Sequence, residues 1–359
     1  MKKILVAMSG GVDSSVTAYI LKSRGYECAG CTMKLFDSSA SWAQTMDSPN
    51  KTCCSTDDVL DAKSVASRLD MDHYVLNYTE DFTRCVIEPF VCSYINGETP
   101  NPCIECNKHL KFSKMLNQAK ALGYDMIATG HYARVEKSPE GHYLLKKAVN
   151  PEKDQSYVLY NVTQEELACI SLPLGELSKE QVRAIADEQG FVNAHKPDSQ
   201  DICFVPDGDY ASMISRYTNK SFQEGDFVDT KGNVLGRHKG LIHYTIGQRR
   251  GLGIAASDRL YVLRLDIPNN RVILGSNEEL FNTIVNVKSF NWIAGTDIPH
   301  EFRCSAKIRY KHKEQPCTVK YLGEGCINIV FDEPQRAATP GQSAVLYDGD
   351  IVLGGGIIC

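Results

Sequence analysis

Ser9-Gly10-Gly11-Val12-Asp13-Ser14-Ser15 follows the apolar run Ile4-Leu5-Val6-Ala7-Met8 and precedes a helical pattern beginning near Val16. This strand, turn and helix decide how the first part of the chain is read. Glycines let the backbone approach a ligand, and amides at a helix N-terminus, helped by the Ser14 and Ser15 hydroxyls, suit a bound phosphate. The run lacks the Gly-Lys-Ser/Thr of a Walker loop and the G-x-G-x-x-G spacing of the dinucleotide turn, so neither familiar fingerprint applies. A nucleotide phosphate fits the loop.

Further apolar runs at Glu27 to Met33, His73 to Leu76 and Met126 to His131 alternate with helical patterns. Val59, Leu60, Ala62, Val65, Ala66 and Leu69 form one amphipathic face after possible caps at Ser55 to Asp58, and Phe112, Met115, Leu116 and Ala119 form another. Strands alternating with helices predict an α/β fold with an open parallel sheet, whose ligand sits at the carboxyl ends of the strands. From about Thr163 to Tyr217 the pattern turns helical, with a capping box at Ser178-Lys179-Glu180-Gln181. Beyond Gly225, short strand-like runs are split by Gly, Asp and Asn. The expected domains are therefore 1–205 for nucleotide binding, with a helical connector over about 163–217, a small central β domain over 206–280, and a β-barrel over 281–359.

A length of 359 residues exceeds the usual size of one domain, and 43% hydrophobic with 23% charged residues describes a globular chain, not a disordered one. No apolar run approaches the length of a membrane span, and the N-terminus lacks the long apolar region of a signal peptide. The expectation is a cytoplasmic protein with no membrane partner. A net charge of -5 argues against a globally basic nucleic-acid binder while leaving room for a local basic patch.

Fourteen cysteines without an export signal point to reduced thiols. Cys103-Ile104-Glu105-Cys106 follows Thr99-Pro100-Asn101-Pro102, a turn-forming run that predicts an exposed loop ahead of a helix over Lys108 to Leu122. Cys203 stands in Asp198-Ser199-Gln200-Asp201-Ile202-Cys203-Phe204, flanked by polar residues. The pair reads as a redox disulfide, as metal ligands or as nucleophiles; a zinc ribbon would want a second close-set pair, which Cys203 alone does not supply. Three thiolates would suit an iron-sulfur (4Fe-4S) cluster with one open iron. Cys53-Cys54 and the remaining cysteines read as structural.

Ser9 to Ser14 resembles the PP-loop motif of ATP pyrophosphatases, which release pyrophosphate while transferring AMP to an oxygen. That resemblance implies that Ala7, Met8, Ser9, Gly10, Gly11, Val12, Asp13 and Ser14 hold ATP, that Met33 lies by the adenine, and that Gly130 closes the nucleotide site. Asp13 reads either as a contact to magnesium or its waters, or as a helix cap. Over essentially the whole chain the sequence resembles the bacterial tRNA-specific 2-thiouridylases. The resemblance is carried by Met8 to Ser15, Thr99 to Phe112, Ala128 to Arg134, Lys153 to Tyr157, Asp198 to Phe204, Gly247 to Gly251, Arg309-Tyr310 and Thr339-Pro340-Gly341-Gln342.

That family adenylates C2 of the wobble uridine with ATP and magnesium and replaces the oxygen by sulfur. The resemblance implies that Cys203 carries a persulfide and that Cys106 is the nucleophile that releases its sulfur, closing a disulfide with Cys203. It implies tRNA contacts at Asn101, Pro102, Cys103, His131, Lys153, Asp154, Gln155, Arg309, Tyr310 and Gln342, and a sulfur donor protein or sulfide source as partner. Many members carry Asp where this chain has Cys103. The substitution creates a CxxC like that of iron-sulfur-dependent tRNA thiolases, so Cys103, Cys106 and Cys203 as cluster ligands stay open beside the persulfide route. Basic stretches at Arg237 to Arg250 and at Arg303, Lys307, Arg309, Lys311, His312 and Lys313 suit RNA phosphates. Alternatives are another PP-loop enzyme, such as an amidotransferase, argininosuccinate synthetase or tRNA lysidine synthetase, and a non-enzymatic ATP- and RNA-binding sensor.

Overall fold

The computed structural model describes residues 2–36, 56–198, 202–255, 258–295 and 297–359. Cys53, Cys54, Ser55, Ser199, Gln200 and Asp201 lie outside the described residues. Strands β1 (Lys3–Ala7), β2 (Glu27–Lys34), β3 (His73–Asn77) and β4 (Met126–Ala128) are followed by a hairpin, β5 (Ala133–Lys137) and β6 (Tyr143–Lys147), and by β7 (Ile170–Ser171). The first sheet has the order β3-β2-β1-β4-β7, and every pairing in it is parallel. Ile4, Leu5 and Val6 of β1 are all buried, because helices cover both faces and an alternating pattern would leave polar side chains in the core.

Helix α1 (Val12–Ser23) leaves β1 through the glycine turn, and α2 (Thr56–Arg68) packs Ala62, Val65 and Ala66 against the same core. The helix begins earlier than the periodicity suggests. Gly11 is its extended N-cap, so Val12, Asp13, Ser14 and Ser15 already form the first turn. Gly10 has φ +73°, and a Cβ there would run into the Asp58 backbone at the start of α2. The turn is thus fixed by close packing as well as by conformation.

Two parts of the sequence reading change. The region read as helical without strands contains β7, which extends the parallel sheet through Ile127↔Ile170. The β5–β6 hairpin was not read as strands; it attaches to the C-terminal sheet at Ile351↔Lys146, and the Lys147 amide donates to the Asp350 carbonyl. β5 alternates over only Ala133 to Lys137 and β6, Tyr143-Leu144-Leu145-Lys146-Lys147, does not, so tertiary pairing decides the hairpin.

The central strands β8 (Gly225–Val228), β9 (Val234–His238), β10 (Tyr261–Asp266) and β11 (Arg271–Gly275) form one sheet around Phe227, Tyr244, Val262, Val272 and Leu274. The C-terminal strands β12 (Phe281–Trp292), β13 (Glu301–Lys307), β14 (Gln315–Gly323), β15 (Cys326–Arg336), β16 (Ser343–Asp348) and β17 (Ile351–Ile358) run β12-β15-β14-β13-β16-β17, and β12 pairs with β17 to close a six-stranded barrel. The α/β class with a central β unit and a terminal barrel is the expected one. Among the described residues no helix is long and apolar enough to cross a membrane.

Thr99 joins the three parts: its amide donates to Pro340, its carbonyl accepts from Gln342, and its hydroxyl meets Thr245. Arg309 of the barrel reaches the central unit, donating to the Ile246 carbonyl, and also donates to the Ala337 carbonyl and the Thr339 hydroxyl of the barrel itself. The segment ahead of Asn101 is therefore seated by both β units.

Burial lowers the pKa of His73, His131, His238, His243 and His312 below the ordinary 6.5. As pH falls through 6.5 the unfolded chain takes up protons at these positions and the folded chain resists, so the unfolded state binds more protons and stability falls. Glu166, raised by burial, opposes this weakly from one site. Thermal unfolding should therefore show Tm decreasing from about pH 7 to about pH 5, and a Tm that rises over that window contradicts the assignment of these imidazoles as neutral.

Candidate active site

A cavity of 610 Å³ opens at the carboxyl ends of β1, β2 and β4. Ala7, Met8, Ser9, Gly11, Val12, Asp13, Ser14, Met33 and Gly130 line one end. Gly10, the remaining residue of the expected nucleotide set, supports the turn from behind. Gly130 packs so close that a Cβ would lie 2.9 Å from the Asp13 carbonyl carbon and 3.0 Å from the Ser14 nitrogen. Ser14 Oγ accepts from the Ser9 amide at 3.2 Å and donates to the Gly11 carbonyl at 2.9 Å, which closes the loop on itself.

Asp13 is not the helix cap. It sits in the first turn, and its Oδ1 accepts from Tyr132 Oη at 2.8 Å and Lys179 Nζ at 2.7 Å. Burial and the neighbouring Asp13 carboxylate push the Tyr132 phenol well above its usual range, so it stays protonated and donates.

Pro102, Cys103, Cys106, His131, Lys153, Gln155, Cys203 and Tyr310 line the rest of the same cavity. The CxxC is not on a loop. Asn101 caps a helix, its Oδ1 accepting from the Cys103 amide at 3.1 Å, and Pro102 is the first residue of α3 (Pro102–Cys106). The Asn-Pro pair that reads as a turn is an N-cap with proline at N1. A π-helical segment, Asn107–Lys114, and α4 (Met115–Ala121) continue the helix. Cys103 is exposed and Cys106 is buried, with Ile104, against the protein interior. Cys203 is half-buried and packs on the aromatic cluster of Phe82, Phe90 and Phe204, a setting more apolar than its sequence neighbours suggest.

Several of the expected contact residues also have hydrogen-bond partners within the protein. Asp154 is buried, and its carboxylate accepts from the Ala148 and Ser156 amides and the Ser156 hydroxyl. Arg309 is engaged between the two β units, and Gln342 between the barrel and Thr99 of the first unit, as described above. Gln155 Oε1 holds the Tyr132 amide, and His131 Nδ1 lies 2.7 Å from Thr129 Oγ1 with burial keeping the imidazole neutral. In the basic stretches, Arg237 pairs with Asp226, Arg303 with Asp332, and His238 is buried against the Asn270 carbonyl. Lys239, Arg249 and Arg250 stay exposed.

Residues 2–207 match the family described as tRNA methyl transferase HUP domain, 211–276 the tRNA methyl transferase PRC-barrel domain, and 282–358 the aminomethyltransferase beta-barrel domain. The chain is 50% identical over 358 residues to the tRNA-specific 2-thiouridylase MnmA of Clostridioides difficile, spanning 99% of this chain and 98% of the relative. It is 50% identical over 358 residues to the protein of the same name from Acetivibrio thermocellus, spanning 99% of each, and 47% identical over 358 residues to that of Lachnoclostridium phytofermentans, spanning 100% and 99%. The chain belongs to the tRNA-specific 2-thiouridylase family.

For a thiouridylase-family chain, the cavity also contains groups that sequence reasoning passed over. Tyr132, Asp198 and Lys111 lie inside quoted motifs without a role there, Asp58 reads only as a possible helix cap, and Lys196 carries no signal; Lys179, which reaches Asp13 from behind the lining, reads only as part of a capping box. Their pattern comes from tertiary approach, which spacing does not encode. Hard oxygen donors suit magnesium, and Asp13 supplies a carboxylate at the phosphate end. An iron-sulfur cluster fits less well. Cys103 and Cys106 differ in exposure, and among the described residues no three His, Cys, Asp or Glu side chains are gathered as a metal site. Elsewhere Cys28 and Cys31 are core residues whose thiols burial pushes up to about 11 and about 12, as structural cysteines should be.

Gly130→Ala should push the new methyl into the phosphate loop. The expected result is a rise in KM for ATP of about 10²-fold, the scale for a reacting group displaced by an ångström, with the fold retained by circular dichroism. An unchanged KM contradicts the placement of ATP in this loop.

Proposed function

We propose that this protein thiolates the wobble uridine of tRNA at C2, using ATP to activate the oxygen and a cysteine persulfide to supply the sulfur. The observation that carries the reading is that the phosphate loop, Cys106 and Cys203 line one continuous cavity. A uracil C2 carbonyl is a poor electrophile because oxide would have to leave. Adenylation makes AMP the leaving group.

The amides at the start of α1 and the Ser9 hydroxyl hold the β and γ phosphates, on a loop that Ser14 braces, and the uracil O2 attacks the α-phosphorus with release of pyrophosphate. Asp13 would hold magnesium beside the phosphates, where the ion would supply charge neutralisation. The wobble base must leave its stack to reach this depth, and Tyr310, with exposed edges beside Lys311 at the cavity rim, offers it a stacking surface. Asn101, through its cap on α3, fixes the face on which the base meets the thiols. His131 and Gln155 complete the polar lining, and Lys153, Lys239, Arg249 and Arg250 offer cations to phosphates.

The terminal sulfur of the Cys203 persulfide then attacks C2. The Cys106 thiolate attacks the Cys203 sulfur, the S–S bond to the transferred atom breaks with its electron pair going to that atom, and AMP leaves to give C2=S. Two thiols are oxidised to the Cys106–Cys203 disulfide as the transferred sulfur is reduced, and a dithiol reductant reopens it. The persulfide itself comes from a donor of the persulfide class. A cytoplasmic location follows from the tRNA substrate.

Cys106→Ser and Cys203→Ser should each abolish 2-thiouridine formation while tRNA-dependent pyrophosphate release continues. Retention of thiolation by either variant overturns the assignment. Cys103→Asp should keep activity, since Cys103 takes no part in the persulfide route; its loss, with colour and iron in anaerobically purified protein, would favour the cluster route.

A further inference from the structure

Lys179 opens helix α5 (Lys179–Glu188) and is almost wholly buried, its side chain 7% exposed. A buried ammonium is costly unless it is paired. This one lies 2.7 Å from Asp13 Oδ1 and 2.6 Å from Asp198 Oδ1. Asp13 belongs to the phosphate loop, and Asp198 stands shortly before Cys203 in the chain. The other oxygen of Asp198 accepts from Lys153 Nζ at 2.9 Å, and Arg183 approaches at 3.8 Å. Burial works against the Asp198 carboxylate, but the Lys179 and Lys153 hydrogen bonds more than offset it and hold its pKa below the ordinary value.

Two more contacts pin the chain ahead of Asp198 to the same loop. Asn193 Nδ2 donates to the Gly10 carbonyl and the Ser15 hydroxyl, each at 2.9 Å. Lys196 Nζ donates to Asp58 at 2.7 Å and Asp61 at 2.6 Å, on the helix against which Gly10 packs. The chain up to Asp198, five residues before Cys203, is therefore tied to the phosphate loop by Asn193 and to α2 by Lys196.

We infer that Lys179 is a positioning residue of sulfur transfer: by pairing Asp13 with Asp198 it holds the approach to Cys203 in fixed register with the phosphate loop, so that the persulfide and the activating nucleotide address the same uracil. The inference rests on the thiolation reading above. Lys179 touches no reacting atom in this arrangement. It neutralises Asp13 beside the incoming polyphosphate and anchors Asp198 with the same ammonium. When the anchor is lost, water adds at C2 of the adenylated base instead of sulfur, AMP leaves, and uridine is regenerated with pyrophosphate already released.

The test measures pyrophosphate and 2-thiouridine in the same reaction, using the full chain, unmodified tRNA, ATP and a persulfide donor. Asp198→Asn leaves the Asp13–Lys179 pair in place, so the thiouridine formed per pyrophosphate should fall about tenfold or more, while KM for ATP moves less than about threefold. Lys179→Met, close in volume, should raise KM for ATP as well and lower the same ratio. A wild-type ratio in Asp198→Asn overturns the inference. So does a proportional loss of both products with the ratio intact, which is what a merely structural role gives. Wild-type protein that releases pyrophosphate without forming thiouridine removes the thiolation reading and this inference with it.

Discussion

The Asp13 carboxylate lies where a polyphosphate must bind, and its charge has to be compensated before that can happen. Tyr132 and Lys179 provide the compensation, from the turn after β4 and from the helix that follows β7. Both must arrive at the carboxyl end of β1, which fixes the position of the parallel sheet's right-hand half relative to the phosphate loop. Gly130 and Gly10 let the neighbouring backbones come close enough, one against Asp13 and Ser14 and the other against Asp58. The cavity's shape follows from that one electrostatic requirement and two missing side chains.

The thiols are positioned by different means. Cys106 is set by a helix whose start Asn101 and Pro102 dictate, and the segment before it is clamped at Thr99 by the barrel and the central sheet together. Cys203 is set by apolar packing on the aromatic cluster, and the chain up to Asp198 is tied to the phosphate loop and to α2. The β units thus contribute to the chemistry without supplying the nucleophiles: they hold the helix bearing Cys103 and Cys106 in place, and they bring Tyr310 and Lys311 to the rim.

Much of this was legible in the sequence because the signals are local. The apolar run before Ser9-Gly10-Gly11 and the periodic helices on either side define a parallel sheet, and the glycine- and asparagine-split strands define β units. The helix start at Asn101-Pro102 was misread because the same residues serve turns and caps, and only the direction of the following chain separates the two. The β5–β6 hairpin was missed because the strand it joins lies at the other end of the chain. Asp154, Arg309 and Gln342, expected from sequence to contact tRNA, are seen in the fold to bond backbone groups and neighbouring hydroxyls, a structural part that spacing does not encode. The local patterns around Lys179 and Tyr132 do not show their pairing with Asp13, because it is a meeting of three distant segments on one carboxylate.

The central claim is that nucleotide activation and a Cys106–Cys203 pair operate on one base in one cavity. The most direct measurement is a single turnover by persulfide-loaded protein with ATP and unmodified tRNA and no reductant, followed by peptide mapping of the enzyme and nucleoside analysis of the tRNA. The account predicts 2-thiouridine and a Cys106–Cys203 disulfide in equal amounts, both dependent on ATP. Thiolated tRNA from enzyme whose Cys106 and Cys203 remain unlinked, or a disulfide that forms through Cys103 instead, would contradict it.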